Sequence, residues 1–202
     1  MKQTLVIMLK EPRPGRVKTR LGRDVGMTSA AWWFRQQTRQ LIRQIQDPRW
    51  QVVLAVSPNR EGLLSRVWPA HLPRLAQGSG DLGQRMARAL ASQTHGPVCV
   101  IGADIPAIKP TQIAKAFAAL GPAEAVFGPA PDGGYWLVGL KNARIAPRSL
   151  FHNVRWSSEH ALADTIASIP DFRVGYVDEM RDVDTLYDLR MTAGKTHDIG
   201  GE

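Results

Sequence analysis

The 202 residues, 44% hydrophobic and 22% charged, supply enough apolar surface for one well-buried core, and the chain is short for two. No run approaches the roughly eighteen uninterrupted apolar residues that cross a bilayer, and the opening MKQTLVIMLKEPRPG breaks its apolar segment too soon for a signal peptide, so no membrane partner and a cytoplasmic location are expected. The 26 Lys and Arg against 18 Asp and Glu give a formal charge of +8, which suits a partner carrying phosphate; the single cysteine, Cys99 inside PVCVIG, reads as a small buried hydrophobe and leaves no room for disulfides or a zinc cage.

Along the chain, residues 4–9 form a short apolar β-prone run, followed by a loop rich in Pro and Gly. Phe34, Leu41, Ile42 and Ile45 then recur at helical spacing before Pro48, with Arg35, Arg39 and Arg43 on the solvated face. Residues 52–56 read as a strand, Leu82, Met86 and Leu90 as a helix face, and residues 98–101 as a fully buried strand. A helix started by Pro110 and Thr111 carries Ile113, Phe117 and Leu120, and strands follow at 125–128 and 135–140. A helix is predicted to begin at Ser157 or Ser158 and stop before Pro170; 173–177 is a last strand and 185–191 a terminal helix. Trp32, Trp33 and Trp50 are expected in the core or at an interface. Strands alternating with helices predict a mostly parallel sheet covered on both faces, its strand-to-helix loops gathered at one edge where ligands of such sheets bind. One domain is expected over residues 1–193, with a polar, Gly-rich and disordered tail over 194–202.

Several loops carry chemistry. In KEPRPGRVKTRL (10–21), Gly15 permits close backbone approach while Arg13, Arg16, Lys18 and Arg20 supply cations for a polyphosphate. This is not a P-loop, because Arg16 and Val17 separate Gly15 from Lys18. In QGSGDLGQR (77–85), the glycines let the main chain lie flat against a base or ribose, and Gln77 offers an amide able to pair with a base edge. VCVIGADIP (98–106) is a buried strand delivering Asp104 to the sheet edge, where a hard cation such as Mg²⁺ or Mn²⁺ has use for a carboxylate. GPAPDGG (128–134) places Asp132 beside paired glycines, as a turn or as an acceptor-facing carboxylate. RDVDT (181–185) presents Asp182 and Asp184, one of which can serve as a helix cap.

PxPGxVKTRL at 12–21, GDLGxRM at 80–86, IGxDxP at 101–106, GPAxDGGYWLxGL at 128–140 and DVDT at 182–185 occur together and in order. With them the chain resembles the rSAM/selenodomain-associated transferase 1 family over residues 3–191, and more distantly the molybdenum-cofactor and 2-phospho-lactate guanylyltransferases. The resemblance implies a three-layer α/β/α, Rossmann-like GT-A fold of the nucleotide-diphospho-sugar transferase type, with a mostly parallel mixed sheet. It implies a nucleotide held by Gly15, Lys18, Thr19 and Arg20, a base or ribose near Gln77, Gly80 and Asp81, and Mg²⁺ or Mn²⁺ on Asp104 with Asp184 as second carboxylate. Asp132, with Gly133, Gly134 and Tyr135 around it, would face the acceptor, Asp132 as base and Lys18 as catalytic cation. The family commonly has a small polar residue where Ile105 stands.

The function expected is therefore metal-dependent transfer from a nucleoside triphosphate or a nucleotide-diphospho-sugar to a small-molecule acceptor. The rival reading is a non-catalytic basic nucleic-acid- or nucleotide-binding protein. Nucleic acid is not the expected partner, since the cations are not gathered on one helix and no stacking-aromatic RNA motif is present.

Overall fold

The computed structural model describes residues 2–93 and 96–188. The order of elements is β1 (Gln3–Lys10), α1 (Thr19–Val25), α2 (Met27–Gln44), β2 (Trp50–Ser57), α3 (Asn59–Leu64), β3 (Arg74–Ala76), α4 (Leu82–Ala91), β4 (Val98–Ile101), α5 (Pro110–Ala119), β5 (Ala125–Pro129), β6 (Tyr135–Leu140), α6 (Ala161–Ala167) and β7 (Val174–Tyr176), with a 3₁₀ turn at Ala143–Ile145. The strands form one seven-stranded sheet in the order β3-β2-β1-β4-β6-β5-β7. Every pairing is parallel except the two made by β6, so the sheet is mostly parallel, as the alternation predicts, and mixed, as the resemblance implies.

The period-two geometry of β1 sorts its side chains into two cores. Leu5, Ile7 and Leu9 join one cluster with Phe34, Leu41 and Ile42 of α2 and Ile113 and Phe117 of α5. Val6 points the other way, to Met86 and Leu90 of α4, and Leu162 and Ile166 of α6 pack on the same cluster. The sheet is thus sandwiched between two helical layers. Cys99 lies fully buried, and burial pushes its thiol well above the ordinary range, as a structural cysteine requires. Arg35, Arg39 and Arg43 are exposed on α2. Trp50 is buried against Phe117, Trp33 packs partly buried on the core, and Trp32 is 63% exposed, outside the core.

The predicted start of α6 at Ser157 or Ser158 shifts to Ala161 because Ser157 adopts a left-handed φ of 58°, which a right-handed helix cannot include. Residues 186–188 begin helically. The rest of the predicted terminal helix and the predicted tail over 194–202 lie outside the described residues. Among the described residues, no helix is long and apolar enough to cross a membrane.

Because β2 runs to one side of β1 and β4 to the other, the order reverses between β1 and β4, and the crevice at their carboxyl ends is a topological switch point. The β5–β6 connection and the segment after β7 open at this same edge, since β5 is parallel to β7 and antiparallel to β6, which is itself antiparallel to β4.

The approach to α6 is fixed by Arg155, whose Nε and Nη2 donate to the two oxygens of Asp164 at 2.9 Å each. This hydrogen bonding, from the guanidinium first and the Arg155 N–H next, lowers the Asp164 carboxyl from 3.8 to about 2. A depressed carboxyl contributes stability that is present above its ordinary value and is lost as pH falls through the folded one. Arg155→Met is expected to lower the melting temperature at neutral pH, with the gap to wild type closing as pH falls from 3.8 to about 2 in calorimetric scans. A gap of constant size across that window would show that the carboxylate is not what Arg155 holds.

Candidate functional site

The first loop leaves β1 through Lys10 and returns at α1, and the residue preceding α1 decides its geometry. Lys18 adopts a left-handed conformation, φ 46° and ψ 47°, which costs a non-glycine residue roughly 1–2 kcal/mol. This turn sends the side chain inward, where it is only 4% exposed. Its ammonium donates to Asp184 Oδ1 at 2.7 Å and lies 3.3 Å from Asp104 Oδ1. Three segments widely separated in sequence meet on this one nitrogen. Arg20, 73% exposed, adds a weaker contact to Asp184 Oδ2 at 3.4 Å.

Asp104 reaches that point because β4 ends at Ile101 and the chain continues over the sheet edge with Gly102 exposed, Ala103 and Ile105 buried and Asp104 half-buried between them. Asp184 arrives by a different route. After β7 the chain crosses the edge, tied by Val177 N–H to Phe127 O, Met180 N–H to Pro129 O and Val183 N–H to Asp104 O, and Val183 is fully buried. Neither Asp182 nor Asp184 caps the following turn, which corrects one expectation: Thr185 Oγ1 accepts from Asp188 N–H at 3.2 Å while the Asp188 carboxylate accepts from Thr185 N–H at 2.9 Å, a capping box. Asp182 is drawn into the same acidic edge. Burial raises its carboxyl pKa, and Asp184, Asp104 and Asp132 raise it further, with Lys18 opposing.

These segments border a cavity of about 730 Å³ lined by Lys18, Thr19, Arg20, Gln77, Gly80, Asp81, Asp104, Tyr135 and Asp184 among the residues expected from sequence. Lys10, Arg16 and Arg85 also line it. Lys10 and Arg85 were not singled out from sequence, although Lys10 at the end of a strand facing a switch point is a readable signal. Gly15, Asp132, Gly133 and Gly134 do not line the cavity. Gly15 is exposed with a φ of 72° and open space where a Cβ would stand. Asp132 is exposed and its Oδ1 accepts from Gly134 N–H at 3.0 Å, as in an Asx turn. Gly133 is required for packing, since a Cβ there would come within 2.2 Å of Glu159 O.

Two residues expected at the ligand are already committed. Gln77 is 6% exposed and its Nε2 donates to Leu9 O at 3.0 Å and Ala55 O at 2.9 Å. Its donors are spent on the ends of β1 and β2, so only its oxygen is left for a base edge. Tyr135 turns its hydroxyl to Thr165 at 3.4 Å and packs its ring edge-on against Phe127 and Trp156, and burial drives its pKa up. The glycine turn itself is held by Arg88, which donates to Gln77 O and Ser79 O, and by Arg85 to Gly80 O, while Asp81 caps α4 by accepting from Gln84 N–H at 2.8 Å.

Two carboxylates converging on one cation position fit a hard divalent ion, which takes one or two carboxylates and completes its shell with substrate phosphates and water. Among the described residues, no group of three or more His, Cys, Asp or Glu side chains forms a metal cage.

Gln77→Leu is expected to cost about 1–3 kcal/mol of stability, because two buried carbonyls lose their donors. Urea unfolding with an unchanged slope would show it. Wild-type stability in that variant would mean the amide is free for ligand alone.

The signature of the bacterial family described as uncharacterized protein conserved in bacteria (DUF2064) matches residues 40–158, more than half of the chain, and the chain belongs to that family. No curated protein matches it. Among solved structures, a protein from Desulfovibrio desulfuricans G20 that carries the provisional name nucleotide-diphospho-sugar transferase is 27% identical, with a TM-score of 0.88 over 99% of this chain and 90% of that one. CMP:2-keto-3-deoxy-manno-octonic acid synthetase complexed with CTP is 11% identical, with a TM-score of 0.63 over 98% of this chain and 99% of that one. Rv0371c from Mycobacterium tuberculosis H37Rv, in complex with manganese, is 17% identical, with a TM-score of 0.55 over 95% and 97%. These two distant likenesses establish the shared fold.

Proposed function

We propose that this member of the DUF2064 family is a metal-dependent transferase that takes a nucleoside triphosphate or nucleotide-diphospho-sugar as donor and a small molecule as acceptor, within a single domain spanning residues 1–193. The observation that carries the proposal is the Lys18 ammonium at 2.7 Å and 3.3 Å from Asp184 and Asp104, at the mouth of a switch-point cavity. The relatives support it through what they bind, one CTP and one manganese, and through the provisional sugar-transferase name of the 27% identical protein. The five shared sequence motifs support the finer placement beside the rSAM/selenodomain-associated transferase 1 proteins.

Of the two chemistries, the cleft favours nucleotidyl transfer. An acceptor oxygen attacks the α-phosphorus, the bond to the β-phosphate oxygen breaks, and pyrophosphate departs with the electron pair. Such a reaction asks for positioning and charge neutralisation, and a phosphate acceptor needs no base. Lys18, Arg20, Lys10 and Arg16 would neutralise the phosphate chain, and Lys18 and Arg20 the departing pyrophosphate. Asp104 and Asp184 would hold Mg²⁺ or Mn²⁺, whose chemistry is to draw charge from the phosphoryl oxygens. Thr19, Gly80, Asp81 and the Gln77 oxygen border the space for ribose and base. Glycosyl transfer, favoured by the name of the 27% identical relative, would ask Asp132 to deprotonate a hydroxyl; that carboxylate lies off the cavity wall and already accepts from Gly134 N–H.

With Mn²⁺ present, one nucleoside triphosphate or nucleotide sugar out of a complete set is expected to raise the melting temperature of the wild type and not of Asp104→Ala. The stabilising donor, incubated with candidate acceptors, is expected to release pyrophosphate. Release of nucleoside diphosphate would select the glycosyl reading instead, and stabilisation by no donor would sink both. Lys18→Ala should lower kcat/KM on the order of 10²-fold or more.

A further inference from the structure

The cation position between Asp104 and Asp184 is filled by the side chain of Lys18, at 3.3 Å and 2.7 Å. A divalent ion held by carboxylate oxygens takes them at roughly 2.0–2.6 Å, so it would need the space and the charge balance that the ammonium now supplies. Two cations so close in a partly buried pocket repel strongly. We propose that Lys18 is a built-in counter-cation that must leave the Asp104 and Asp184 pair before Mg²⁺ or Mn²⁺ can take it, so that the metal and a polyphosphate bind with positive coupling. The inference rests on reading the cleft as a metal-dependent phosphate site.

Three features give Lys18 this role. It is nearly buried, so it cannot trade its carboxylates for bulk water and needs another anion to receive it. The space beside it is the cavity, whose wall carries Lys10, Arg16 and Arg20, the cations that would draw a phosphate chain to within its neighbourhood. A lysine is also a compact point charge on a flexible stem, able to change partners where the fixed fork of an arginine would not. Arg20 is no substitute: it is 73% exposed, and among the described residues the acid it meets is Asp184, at 3.4 Å. A polyphosphate therefore pulls Lys18 off the acids and opens the metal position, and by linkage the metal strengthens polyphosphate binding by the same factor. Without a donor the ion binds weakly, against the ammonium it must displace.

The test is a Mn²⁺ titration of the nucleotide-free protein, with free ion read by electron paramagnetic resonance, on wild type, Lys18→Met, Lys18→Arg and Asp104→Asn. Lys18→Met is expected to bind Mn²⁺ about tenfold or more tightly than wild type, because a buried counter-charge has been removed. Lys18→Arg should bind Mn²⁺ no more tightly than wild type, since the fork of an arginine does not give up its carboxylates, and Asp104→Asn should lose the site. Equal or weaker binding by Lys18→Met, beside wild-type binding that depends on Asp104, would overturn the inference and leave the transferase reading standing. Mn²⁺ binding in no protein, or binding indifferent to Asp104, would overturn the inference together with the metal assignment. Should Lys18→Met fail to fold by circular dichroism, reductive methylation of Lys18 in the wild type, read by mass spectrometry, decides instead. Saturating Mn²⁺ is expected to speed labelling several-fold, and an unchanged rate would overturn the proposal.

Discussion

A buried ammonium between two carboxylates organises the business end of this molecule. Placing a lysine charge at 4% exposure is unfavourable unless it is paired, and removing one member of such a group leaves the others stranded. The surrounding chain accepts further cost to keep the group together: Lys18 holds a left-handed backbone, and Asp182 is crowded into the same acidic edge at the expense of its ionisation. Strain and like charges that gather at one spot single it out as a candidate functional site.

The sheet topology explains why these groups can meet. Parallel β1 and β4 end side by side, so a loop after one and a strand-end acid after the other share a crevice without special folding. The third member needs more, because Asp184 lies 166 residues after Lys18. It is brought back by a run of backbone bonds over the ends of β5 and β4 and by the burial of Val183, while Gln77 ties β1 to β2 from the other side. The site is complete only when the last described segment has docked, which couples its formation to folding of the whole sheet.

How much of this was legible from sequence depends on the kind of signal. Strands β4 and β6 were readable to the residue: β4 is an unbroken apolar run between Pro97 and Gly102, and β6 an apolar run between Gly134 and Lys141 in a chain whose elements alternate. Asp104 was placed correctly at the strand end for the same reason. Helix α1 was missed because TRLGRDV offers Leu21 as its one large buried apolar residue, and β3 because three half-buried residues carry no alternation. The inward turn of Lys18 could not be read, since nothing but glycine or asparagine advertises a left-handed position. The double bond from Gln77 was likewise invisible: an amide near a glycine-rich turn suits a base edge and a strand end equally until the strand ends are in place. Asp132 beside paired glycines is ambiguous in the same way: of the turn and the acceptor-facing carboxylate that its sequence offers, the structure displays the Asx turn, with Gly133 packed closely on Glu159.

The charge excess, finally, has to be weighed by where its members are spent. Arg49, Arg155 and Arg173 are paired with Asp47, Asp164 and Glu124, and Arg74, Arg85 and Arg88 are tied to backbone carbonyls. Arg35, Arg39 and Arg43 form an exposed row on α2, whose opposite face buries Phe34, Thr38, Leu41 and Ile42. A long polyanion such as nucleic acid would need a continuous cationic track, with many phosphates contacted at once. Lys10, Arg16, Lys18 and Arg20 instead converge on one concave edge beside two carboxylates, an arrangement sized for a few phosphates and hostile to a bare polyanion unless a cation comes with it. A charge of +8 spread in this way fits the small-molecule cleft proposed above, on an ordinary basic surface.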